Sequence, residues 1–168
     1  MKKIIIIGIV VITIAAALII SSNSQENKIN SPAIQAQTSP TETITDAKAS
    51  FVIFTNGTLR IFSDPRYHNL STDIYLQSDN PNIVHVKKAE VTWDDFFKTL
   101  PMKLSYDCIT TGTGQTFCSN ANQKLKFYIN GKLEPNALDM VIKNGDQLLV
   151  SYGNENEEEI NINFNKSL

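Results

Sequence analysis

Two cysteines, two histidines and an adjacent pair of aspartates are the residues of this chain whose types and spacing could do chemistry. Cys108 and Cys118 enclose what reads as an irregular loop rich in glycine and threonine, Ile109 to Phe117. Thiol–disulfide catalysis favours the close Cys-x-x-Cys spacing, in which a thiol pKa is depressed, and nine intervening residues do not supply it. In an oxidising compartment the pair reads as one structural disulfide. Closing a loop of about eleven residues contributes on the order of 3 kcal/mol. Free or metal-binding thiols are the alternatives.

His68 and His85 are the only candidate imidazole ligands. A zinc or copper site takes three or four nitrogen, sulfur or oxygen donors. Asp64, Asp73, Asp79 and Met102 could complete one, but no helix or strand spacing compels it. No metal or cofactor is therefore expected. His85 sits in Ile83-Val84-His85-Val86-Lys87, on the opposite side of a strand from Val84 and Val86, which suits a sheet-surface histidine. Asp94 and Asp95 follow Thr92 at the start of a helical pattern, where capping and the helix dipole account for them better than acid–base catalysis. No Gly-x-Ser-x-Gly elbow, phosphate loop or His-Glu-x-x-His is present, so no catalytic residue is assigned and an enzyme is not the expectation. Asn56, Asn69 and Asn165 each open an Asn-x-Ser/Thr sequon. Asn69 and Asn165 are the glycosylation candidates, because Asn56 belongs to a tight turn.

These residues must be positioned by a largely β framework. Phe51 to Thr55, Asn56-Gly57, and Thr58 to Phe62 form a strong hairpin signal, since Asn-Gly supplies the two positive φ angles of a type I′ turn. Leu125 to Ile129 ends in a second Asn-Gly, and Asn144-Gly145 precedes the apolar run Gln147 to Tyr152. Asp73 to Gln77 and Ile83 to Lys87 are further strand candidates. One helix is expected: Trp93, Phe96, Phe97 and Leu100 share a face at i, i+3, i+4 and i+7, and Pro101 ends it. The fold class is α+β, a small β-rich domain with one short amphipathic helix.

The rest of the chain says where such a domain works. Lys2-Lys3 precedes Ile4 to Ile20, a run interrupted only by Thr13 among polar residues. At 1.5 Å per residue it spans about 25 Å, enough for a single transmembrane anchor with its N-terminus cytoplasmic. Ala15-Ala16-Ala17 keeps a cleaved secretory signal as the alternative. Residues 21–50 contain no aromatic residue and read as a flexible linker. Residues 51–154 form the folded extracytoplasmic domain, and residues 155–168 a polar acidic tail in which Ile160, Ile162 and Phe164 suit a short final strand. Net charge is −2, so no basic field suggests nucleic acid.

The series Phe-x-Ile-Phe-x-Asn-Gly, Asp-Ile-Tyr-Leu, Ile-Val-His-Val, Trp-Asp-Asp-Phe-Phe-Lys-Thr-Leu and Phe-Tyr-Ile-Asn-Gly-Lys resembles a family of uncharacterised membrane-anchored or secreted archaeal and bacterial proteins. Automated naming sometimes calls them protein-disulfide isomerases. The resemblance covers nearly all of residues 51–153, and residues 126–152 are also similar to the close of β-grasp domains. Relatives of this type tend to carry His-x-His at two strands. Here those positions read Tyr75-Leu76-Gln77 and His85-Val86-Lys87, so the resemblance implies that a metal set, if the family has one, is lost. The expectation is a membrane-tethered binding module whose partner, protein or small molecule, is unidentified. A thiol–disulfide or metal-handling envelope protein is the alternative.

Overall fold

A computed structural model describes residues 44–167. The expected anchor at residues 4–20 and the linker as far as residue 43 lie outside the described residues. Among the described residues no helix is long and apolar enough to cross a membrane.

β1 (Ile44–Thr55) is the axis of the main sheet. On one edge it pairs in parallel with β10 (Gln147–Gly153), from Ser50 opposite Gln147 to Thr55 opposite Tyr152. On the other edge two antiparallel partners share it. β4 (Ile83–Lys88) runs along its first half, and β2 (Thr58–Leu59) closes the hairpin at its end. β3 (Ile74–Leu76) extends the sheet beyond β4, while β8 (Lys124–Ile129) and β9 (Lys132–Leu133) extend it beyond β10. β5 (Lys103–Leu104), β6 (Cys108–Thr110) and β7 (Thr116–Cys118) form a second, three-stranded sheet. Both expected hairpin turns are present: Asn56 and Gly57 take φ of 49° and 69°, Asn130 and Gly131 of 51° and 78°.

Period-2 alternation sorts the main sheet's side chains into two faces. Phe51, Ile53, Val84, Val86, Phe127, Leu148 and Val150 belong to the larger core. This face is covered by α1 (Trp93–Thr99), whose Trp93, Phe96 and Phe97 are buried. Phe51 meets both Phe96 and Phe97 edge-on, with ring centroids 5.2 and 5.8 Å apart. Burying each such aromatic side chain contributes about 1.5–3 kcal/mol. The opposite face is divided. Val52, Phe54, Tyr128 and Leu149 pack with Ile160 of α2 (Glu157–Ser167), whereas the half of that face beginning at Lys48 and Ser50 carries polar side chains.

Four expectations are corrected. The folded domain starts at Ile44, not residue 51, so residues 44–50 are strand and not linker. Ala47 and Ala49 are buried opposite Val86 and Val84 while Lys48 and Ser50 face the other way. A linker-like composition conceals that alternation because two alanines carry the apolar side. The tail is likewise a helix, not a strand. Asn156 and Glu159 form a reciprocal capping pair, each backbone N–H donating to the other's side chain at 3.0 Å, with three glutamates in the first turn where the dipole favours them. The strand expected over Thr58 to Phe62 stops at Leu59. β4 already occupies β1 up to Ser50, and the Phe51 N–H donates to the Asn82 carbonyl, so a longer β2 would meet an occupied edge. Finally, residues 108–118 are not an irregular loop but the β6–β7 hairpin.

Candidate functional site

The polar half of the second face opens into a cleft of about 380 Å³. Its floor is β1 at Lys48, Ala49 and Ser50, with His85 and Ile83 of β4 beside them. One wall is the β3–β4 connection, from which Gln77, Asp79 and Asn80 line the cleft. The other is the Asn144-Gly145 turn and the start of β10, where Gly145 takes φ of 85°. That turn is stapled to the first strand: the Lys48 N–H donates to Asn144 Oδ1 at 3.0 Å, and the Gly145 N–H donates to the Lys48 carbonyl at 2.7 Å. Asp146 is buried and committed, accepting from Asn130 Nδ2 at 3.1 Å and from the Lys143 N–H at 2.9 Å.

His85 is the centre of this arrangement. It is only 9% exposed, with Tyr75 and Lys48 as its cross-strand neighbours. The Tyr75 ring stacks on the imidazole with centroids 5.2 Å apart and planes 7° from parallel. Burial, and after it the Lys48 and Lys87 ammonium groups, holds the His85 pKa below the ordinary imidazole value, against the pull of Asp79 and Asp46. Neutral imidazole therefore dominates at pH 7, able to donate from one nitrogen and accept at the other. Lys87 is turned aside by an ion pair with Asp46 at 2.7 Å.

The strand register brings together the positions singled out by the His-x-His pattern: Tyr75, His85 and Lys87 project from the same face of β3 and β4, and Gln77, just past β3, lines the cleft with His85. Tyrosine, glutamine and lysine in three of them make a hydrogen-bonding surface rather than a ligand set. His68 does not join it. Its Nε2 donates to the Phe62 carbonyl at 2.8 Å, an orientation set by a carbonyl that only accepts. Among the described residues no group of three or more His, Cys, Asp or Glu side chains could hold a metal ion.

The other expected residues have structural places. Thr92 and Asp95 form a capping box, Asp95 accepting from the Thr92 N–H at 3.0 Å and from its hydroxyl at 2.8 Å. Those bonds hold the Asp95 carboxyl below its ordinary pKa. Asp94 pairs with Lys98 one turn on. Cys108 and Cys118 are bonded as direct cross-strand partners, with Cα atoms 4.1 Å apart. Asn69 is exposed with φ of 54°, and Asn165 is exposed on α2. Asn56 Oδ1 accepts from Gln123 Nε2 at 2.7 Å within its tight turn.

Sequence reasoning missed Lys48, Ser50 and Gln147 as lining residues. Lys48 and Ser50 fell inside the expected linker, and Gln147 reads as an unremarkable strand start. Only the parallel register, with Ser50 opposite Gln147, makes them neighbours. No protein-family model matches the chain, and neither a curated protein nor a solved structure matches it.

Proposed function

We propose that this chain is a non-catalytic, membrane-tethered binding module that works outside the cytoplasm and takes its ligand in the His85 cleft. The observation that carries the reading is the state of the lining. The side chains of Lys48, Ser50, Gln77, Asp79 and Gln147 make no hydrogen bond to another described protein group, whereas Asp146 and Asn130 just behind them are fully engaged. A concave cluster of polar side chains that the fold leaves unpaired is free to bond a partner. The apolar stretch at residues 4–20 supports the tether, and a disulfide supports an oxidising compartment.

The strand order supports a β-grasp-like fold. A hairpin (β1–β2), a crossover helix (α1), a second hairpin (β8–β9) and a last strand lying parallel to the first are its elements, with β3–β4 added beside β1. The bridge ties two neighbouring strands of the smaller sheet, which supports a structural role over a thiol–disulfide one. The test is retention of cell-envelope material by the full-length chain beside Ser50→Trp, which fills the cleft from its floor. The variant should keep its circular dichroism and lose the retained component. Equal retention by both chains would put the binding surface elsewhere.

A further inference from the structure

The cleft's charge and hydrogen-bonding inventory narrow its ligand, provided that the cleft is the binding site proposed above. Lys48 and Asp79 are the cation and carboxylate of the lining not committed to the fold, and they offset each other. Asp146 is held by Asn130 and Lys143, and nearby Lys87 by Asp46. His85 adds a neutral ring with both nitrogens unbonded to protein. A metal ion would find one imidazole and one carboxylate, too few donors. An anion would find one lysine beside an aspartate.

What the cleft does offer is groups that donate and accept at once: the carboxamides of Gln77, Asn80 and Gln147, the Ser50 hydroxyl and the neutral imidazole. Ile83, on the same strand face as His85, adds an apolar patch between them. We infer that the cleft takes a neutral polyhydroxylated ligand, the end of a short oligosaccharide. Each sugar hydroxyl needs a donor and an acceptor in reach, and the C–H face of the ring needs an apolar patch. A cleft near the lower end of the usual ligand-site range of about 300–1,000 Å³ suits a chain end.

Only two histidines are present, so imidazole NMR signals of the full-length chain in a sugar-free detergent report on the cleft directly. His68→Gln assigns them. Neutral trisaccharides of glucose, mannose and N-acetylglucosamine are titrated beside phosphate, citrate and Zn²⁺. The expected result is a saturable shift of the His85 signals by at least one trisaccharide, with His68 unmoved and no loss at about 0.5 M salt. Gln77→Ala and Gln147→Ala should each weaken it by about tenfold. Shifts caused by phosphate, citrate or Zn²⁺ but by none of the sugars would overturn the saccharide assignment and leave the cleft standing as a site. Silence from every probe also overturns it, and the Ser50→Trp retention experiment then decides the fate of the cleft itself.

Discussion

Because burial disfavours the imidazolium form of His85, protonation must work against folding. The folded-state pKa lies below the unfolded value near 6.5. The unfolded chain therefore binds more protons, and stability rises with pH across this window. The contribution of neutral His85 is complete above about pH 6.5 and is lost as pH falls from there through the folded pKa. Calorimetry of wild type and His85→Gln between pH 7.5 and 5 should show a steeper fall in Tm for wild type; superimposable profiles would remove His85 as the cause. Asp95 acts in a lower window. Its capping bonds depress its pKa, so what it contributes is present above about pH 4 and disappears below. Asp95→Asn should differ in slope from wild type only there. At this scale the face on which His85 sits was legible from its place between Val84 and Val86. Its burial was not, because that depends on Tyr75 from a different strand, stacked at 5.2 Å.

The β6–β7 hairpin shows how an element with few apolar residues becomes part of the core. Ile109 is 1% exposed, and Phe117 packs against Tyr152 with centroids 5.3 Å apart. The Tyr152 hydroxyl donates to the Cys118 carbonyl at 3.1 Å. The disulfide thus fixes the element that lays these groups over the sheet. Cys108→Ser should cost about 2–3 kcal/mol, lowering Tm by about 10 °C, as read by differential scanning calorimetry in non-reducing buffer. An unchanged Tm would mean that the hairpin docks without its bridge. α1 was legible to its caps, since Thr92, Asp95 and the aromatic i, i+3, i+4 spacing act within one short segment. α2 was not. Isoleucine alternating with asparagine imitates a strand, and the decisive Asn156-x-x-Glu159 capping pair lies outside the alternating run.

For the whole molecule the decisive strand is the one whose beginning was read as linker. β1 at residues 44–50 is the surface on which β4, and through it β3, is built. In-frame deletion of residues 44–50 should therefore remove the cleft and leave β3–β4 open to limited proteolysis, with unfolding well below the wild-type Tm. A milder probe is Ala49→Asp, which places a carboxylate at a position 2% exposed and should destabilise by several kcal/mol. Wild-type protease resistance in either variant would mean that β3–β4 folds without β1. The hairpins were legible because Asn-Gly turns act locally. The parallel β1–β10 pairing joins residues almost a hundred positions apart, and no local pattern announces it. That pairing also has a mechanical consequence. A chain held at residue 44 and pulled at residue 153 is loaded along two parallel strands, so the ladder from Ser50–Gln147 to Thr55–Tyr152 is sheared as a unit rather than unzipped bond by bond. Single-molecule pulling through these ends should meet a much higher rupture force than peeling through residues 124 and 153, which end the antiparallel β8–β10 ladder.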